Sequence, residues 1–149
     1  MNIQKISDLK FASFIAQSQV KMAKETEDYD LDYDTVFKGV SAVINDPLKG
    51  EYYISFEGAN PIACLLTVTE WSDWRNSTVL WIHSVYVNPD NRQSGVFKSM
   101  YNYLKLHVES SPDLAGLRLY VDKTNTAAIS VYEKLGMQSE HYALCEWLK

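Results

Sequence analysis

The stretch Val85-Tyr86-Val87-Asn88-Pro89-Asp90-Asn91-Arg92-Gln93-Ser94-Gly95-Val96-Phe97-Lys98 decides how this chain reads. Upstream lies an apolar run, Val79–Val87, broken only by His83 and Ser84. A run apolar at both parities is the pattern of a central strand covered on both faces. Asn88–Asn91 are turn formers, and Val96, Met100, Tyr103, Leu104 and Val108 then recur at helical spacing over roughly Ser94–Glu109. A strand thus feeds a loop that opens directly into a helix. The first amides of a helix have no intrahelical partner and carry partial positive charge. Gly95 lets a bulky ligand approach the backbone, and Arg92 adds a cation. Together these features suit a diphosphate. Taken alone the pattern is weak, because glycine near a helix start is common.

The rest of the chain reads as one domain over residues 1–149, of ordinary size. Ile3–Ile6 suits a short strand, and Ser7 or Asp8 can cap a helix running to about Lys24. Glu25–Asp34 holds six acids in ten residues and reads as a solvated loop. Asp34 or Thr35 opens a second helix, with Val36, Val40, Val43 and Ile44 apolar, that Asn45-Asp46-Pro47 ends. Strands follow at Glu51–Glu57, Ile62–Glu70 and Val79–Val87, the last two joined by the Trp-rich loop Trp71–Asn76. Beyond the helix after Ser94, Leu117–Val121 reads as a strand. Thr124 or Asn125 caps a helix that ends near Leu135 with Gly136 as its stop, and Tyr142–Leu148 is expected as a final strand. In that last helix Asn125, Ala128, Ile129 and Tyr132 share one side, and Ala127, Val131 and Leu135 are expected to face the core.

Bulk properties exclude several functions. A net charge of −5 argues against nucleic acid or an anionic membrane as the main partner. Cys64 and Cys145 lie in apolar runs without metal-ligand spacing, so both are expected as buried reduced thiols and no metal is expected. No signal-peptide-like or membrane-length apolar run occurs, which makes the cytoplasm the expected location. The diphosphate loop follows the third strand counted from Glu51, unlike the first-strand loop of dinucleotide folds.

Arg92-Gln93-Ser94-Gly95-Val96 resembles the Arg/Gln-x-x-Gly-x-Gly/Ala acetyl-CoA motif of the GNAT acetyltransferases, and Asn125-x-x-Ala128-x-x-x-Tyr132-x-x-x-Gly136-Met137 resembles that family's second signature. The element order matches over nearly the whole chain, and the small-amine acetyltransferases are the members it resembles most. Phe97 departs from the pattern, standing where the family has Gly or Ala. Its ring either crowds the diphosphate or turns into the core. The resemblance implies an α/β (α+β) fold: a mixed, mostly antiparallel sheet with a central V-shaped splay and flanking helices. It implies acetyl-CoA as co-substrate, held by Tyr86, Val87, Arg92, Gln93, Ser94, Gly95, Val96, Phe97, Lys98, Asn125 and Ala128.

The same resemblance makes Tyr132 the general acid at the cofactor sulfur. A phenol stays protonated at neutral pH and can donate to a leaving thiolate. A backbone N–H near Tyr86 or Val87 polarises the thioester carbonyl. His83, the one group of its apolar strand that titrates near neutral pH, is a candidate base, with a hydrogen-bonded core histidine as the alternative reading and Glu70 and Asp73 as the other base candidates. Glu25, Glu70, Trp71, Asp73 and Trp74 are candidates for binding the acceptor, the tryptophans by cation–π contact. His107 and His141 attract no role, being expected at exposed or edge positions. The expected function is acetyl transfer to a primary amine of a small molecule. Protein N-terminal or lysine acetylation, or acyl-CoA binding without catalysis, are the alternatives. The exposed tryptophans make a homodimer an open expectation.

Overall fold

The computed structural model describes residues 1–149. Met1–Leu119 and Tyr120–Lys149 form two compact units.

The first unit is built on a five-stranded sheet in sequential order: β1 (Asn2–Ile6), β2 (Glu51–Glu57), β3 (Asn60–Ser72), β4 (Ser77–Val87) and β5 (Leu114–Leu119). The first three pairings are antiparallel and β4–β5 is parallel, which gives the mixed, mostly antiparallel sheet that the resemblance implies. Parallel neighbours need a crossover, and here it is α3 (Val96–Ser110). Between β1 and β2 run α1 (Ala12–Glu27) and α2 (Tyr33–Asn45). These two helices cover one face: Ile15, Ala16, Val40 and Ile44 form a buried cluster with Tyr52, Ile54, Cys64 and Tyr86. α3 covers the other face, where Val96, Met100, Tyr101 and Leu104 are buried and Tyr103 meets Tyr53 edge-on at 5.9 Å.

The element bounds differ from the sequence reading in ways that have local causes. The acidic segment is shorter as a loop, because α1 continues through Glu27. The second helix starts earlier than expected, because Asp32 rather than Asp34 or Thr35 is its cap, accepting from the Thr35 amide at 2.9 Å and the Thr35 hydroxyl at 2.6 Å. Trp71 and Ser72 belong to β3, and only Asp73–Asn76 turn, with Asn76 at φ 47°. β5 ends at Leu119 instead of Val121.

The second unit contains α4 (Thr126–Lys134). Asn125 Oδ1 caps it by accepting from the Ala128 amide at 3.1 Å. Gly136, at φ 86°, ends it, with the Met137 amide donating to the Tyr132 carbonyl and the Gly136 amide to the Glu133 carbonyl. The half-buried side is Ala128, Ile129, Tyr132 and Leu135, whereas Ala127 and Val131 are exposed. This corrects the expectation that the Ala127/Val131 side faces the core. No strand forms at Tyr142–Leu148. A strand needs a neighbour to complete its hydrogen bonds, and none pairs with this segment, however apolar its sequence. The same segment leaves Cys145 exposed, against expectation, while Cys64 is buried.

Candidate active site

The parallel β4–β5 ladder ends at Ile82 paired with Leu119, yet β4 runs on to Val87. Over His83–Val87, β4 is paired only to β3 on its other edge. In that stretch the strand bulges. Leu66 lies opposite His83 and Cys64 opposite Tyr86, so β4 uses one more residue than β3, and Ser84 takes up the excess at φ 54°. The bulge changes which side chains share a face. His83 and Tyr86 are three residues apart, a spacing that puts strand residues on opposite faces. Opposite Leu66 and Cys64, they both face α1 and α2.

Beneath the bulge lies a buried polar pair. Gln19 of α1, only 7% exposed, donates from Nε2 to the Ser84 carbonyl at 3.2 Å and to Cys64 Sγ at 3.7 Å. Burial pushes the Cys64 thiol up to about 12, so it stays protonated and inert. His83 is half-buried beside the Trp81 ring, at 6.2 Å between centroids, and loss of solvation lowers its pKa below the ordinary 6.5. It is therefore a neutral imidazole at pH 7, able to take a proton.

The start of α3 is shaped to receive an anion. Gly95 is its N-cap in a left-handed conformation at φ 82°, and no side chain caps the first turn. The Ser94 hydroxyl turns away, donating to the Asn91 carbonyl at 2.6 Å. Gln93 is also left-handed, at φ 62°. Val96 is buried and anchors the helix start, while Gln93, Ser94 and Lys98 are exposed. A methyl group built on Gly95 would meet no heavy atom within 4 Å. The Phe97 ring therefore does not fill the space above Gly95; it is half-buried and tilted against Tyr101 at 6.4 Å. Uncapped amides, a positive helix end and open space over a glycine fit the diphosphate of coenzyme A.

Arg92 is placed differently from a simple phosphate ligand. Its Nε donates to the Val87 carbonyl at 3.0 Å, its Nη2 pairs with Glu25 at 2.6 Å, and its guanidinium lies 5.7 Å from the Tyr86 ring centre. It ties the end of α1 to the end of β4. Glu25, a candidate for the acceptor, is thus joined to the candidate cofactor loop.

The other acceptor candidates sit together at the closed end of the β3–β4 hairpin. Glu70 receives Trp81 Nε1 at 3.1 Å and Arg118 at 2.6 Å, and Arg118 also lies 5.8 Å from the Trp81 ring centre. Trp71 and Trp74 are 63% and 89% exposed at the hairpin end. Trp71 pairs with Thr78, five residues from His83, which is roughly 17 Å along the strand at 3.3–3.4 Å per residue. Asp73 accepts from the Trp74 amide within the turn. In the second unit, burial raises the pKa of the Tyr132 phenol above 10, which keeps it protonated. No group of three or more His, Cys, Asp or Glu side chains converges to hold a metal ion, and no helix is long and apolar enough to cross a membrane.

Three residues beside the site were not singled out from sequence: Gln19, Trp81 and Arg118. Gln19 carried a signal, as an uncharged polar residue four positions after Ile15 on the apolar side of α1. Trp81 carried one too, two residues before His83 and hence on its face. Arg118 carried none, since a cation in a short strand marks an edge as readily as a site.

The pattern of the acetyltransferase (GNAT) family matches residues 5–137. The chain belongs to the GNAT acetyltransferases. That match crosses from the first unit into the second and includes both motifs. A possible acetyltransferase from Clostridium difficile 630 is 36% identical and superposes with a TM-score of 0.92, over 99% of this chain and 97% of that one. Ribosomal-protein-alanine N-acetyltransferase from Brucella melitensis biovar Abortus 2308 shares the fold at 14% identity and TM-score 0.79, over 99% of each chain. A predicted acetyltransferase from Clostridium acetobutylicum, solved with acetyl-CoA, shares it at 19% identity and TM-score 0.71, over 99% of this chain and 94% of that one. No protein of curated function matches the sequence. This GNAT protein is an acetyl-CoA-dependent acetyltransferase.

Proposed function

We propose that this acetyltransferase moves the acetyl group onto the primary amine of a small molecule, by direct attack within a ternary complex. The observation that carries the reading is the pairing of a neutral base with an acidic surface. His83 faces α1 and α2, and the six carboxylates of Glu25–Asp34 are spread over the end of α1, the short loop after it and the first turn of α2. Negative potential draws a cationic amine, and a neutral imidazole can remove the proton that blocks its lone pair.

Bound acetyl-CoA supplies a thioester-activated acetyl group. The α3 amides from Val96 to Lys98 hold its diphosphate, with Gly95 leaving room. A β4 backbone N–H near Tyr86 or Val87 donates to the carbonyl oxygen as it gains charge. His83 takes the ammonium proton, and Tyr132, by its place in the second motif, gives a proton to the departing thiolate. Asn125 and Ala128 stand at the motif positions that line the pantetheine arm, although one Asn125 oxygen is already engaged as the α4 cap.

The test is release of free coenzyme A thiol over a panel of diamines, amino acids and aminoglycosides, set against peptides with a free N-terminus or lysine. The expected result is the highest kcat/KM on a small polycation. Turnover of peptides alone replaces this reading with protein acetylation. Acetyl-CoA binding without turnover of any amine replaces it with a binding module.

A further inference from the structure

Ser84 is a non-glycine residue held at φ 54° in the middle of a strand, a conformation that L-residues reach only at a cost. Such a conformation persists when the surroundings over-determine it, and one contact here reaches the strained residue from another element. The Gln19 amide reaches across from α1, through an otherwise apolar layer of Ile15, Ala16 and Cys64, to the Ser84 carbonyl at 3.2 Å. A buried amide is retained in such a layer only when its hydrogen bonds are satisfied.

We infer that Gln19 is a positioning residue for acetyl transfer: by holding the Ser84 carbonyl toward α1, it locks the β4 bulge and so aims the backbone donors of the following residues at the thioester carbonyl. Three features support this. The bulge lies where the β4–β5 ladder has already ended, so β5 does not hold the β4 backbone there. It precedes Tyr86 and Val87, the residues nearest the proposed carbonyl donor. It also brings Tyr86 onto the face of His83, where the ring supports Arg92. Gln19 itself touches backbone and a thiol, never the reacting atoms. The inference rests on the acetyltransferase reading and adds a residue that carries the reaction's geometry at one remove.

The test compares wild type with Gln19→Met, which keeps length and removes the donor, and with Gln19→Met/Ser84→Gly. Glycine adopts positive φ without help, so the second change supplies by backbone preference what Gln19 supplies by hydrogen bonding. The expected result for Gln19→Met is a kcat lower by roughly 10- to 100-fold, the scale of losing one aligned carbonyl donor. Affinity for coenzyme A stays within about twofold, while the preference for acetyl-CoA over coenzyme A, read by calorimetry, shrinks. In the double variant kcat recovers by at least about fivefold. An unchanged kcat in folded Gln19→Met overturns the inference. So does parallel loss of coenzyme A and acetyl-CoA binding without rescue, which marks a purely structural role. If Gln19→Met does not fold, the thioester carbonyl stretch of bound acetyl-CoA, compared between wild type and Ser84→Ala/Gln19→Asn, decides: identical frequencies overturn the inference. Wild type that binds no acetyl-CoA overturns the acetyltransferase reading itself, an outcome distinct from a failure of Gln19 alone.

Discussion

Glu25 and Arg92, sixty-seven residues apart, meet at 2.6 Å and join the end of α1 to the loop that opens α3. The pair is open to solvent, with each side chain close to half exposed, so it is worth at most about 1 kcal/mol. Glu25→Gln is therefore expected to lower Tm by no more than about 3 °C. It leaves the Arg92 guanidinium with one competitor fewer, so KM for acetyl-CoA is expected to stay level or fall. Thermal melting and steady-state kinetics check both. A large rise in KM would show that the ion pair itself builds the cofactor loop.

Gly95 separates stability from binding. Its φ of 82° makes alanine strained there by roughly 1–2 kcal/mol, but the added methyl meets no protein atom within 4 Å. Gly95→Ala is expected to fold, to lose a few degrees of Tm, and to raise KM for acetyl-CoA at least tenfold, because the methyl enters the space over the diphosphate-binding amides. Equal KM values in variant and wild type would place the diphosphate elsewhere.

The lowered pKa of His83 sets two pH dependences of one sign. As base it must be neutral, so kcat/KM is expected to rise with pH through an apparent pKa below 6.5 and to be level near pH 7; His83→Ala removes that limb. For stability, both folded and unfolded states carry neutral His83 well above pH 6.5, and no difference arises. As pH falls below 6.5 the unfolded state takes up the proton first, so the folded state loses ground until its own lower pKa is passed. His83→Gln is expected to soften acid destabilisation in that window, read as Tm against pH. An unaltered pH–rate profile in His83→Ala excludes it as the base.

Tyr132 carries the opposite demand, since an acid must hold its proton. Burial raises its pKa above 10, so its ionisation contributes no fall in rate below that pH. Tyr132→Phe is expected to lower kcat by roughly one to two powers of ten while leaving acetyl-CoA binding largely intact, as calorimetry and turnover together measure. Undiminished turnover removes Tyr132 from the mechanism.

What the sequence alone determined was local: the strand and the helix on either side of Asn88–Ser94, the glycine at the start of α3, a cap at Thr124 or Asn125 and the Gly136 stop, and through two spaced motifs the family and its acyl donor. Each depends on residues within a few positions of one another, where side-chain type and backbone preference act directly. Tertiary structure alone decided that Ser84 bulges and turns Tyr86 to the face of His83, that Gln19 holds that bulge from another element, that Arg92 is committed to Glu25, and that the apolar Tyr142–Leu148 segment pairs with no strand. These are hydrogen bonds and ion pairs between segments distant in sequence, whose formation depends on which partner packing brings within reach, and no pattern confined to one segment encodes its partner.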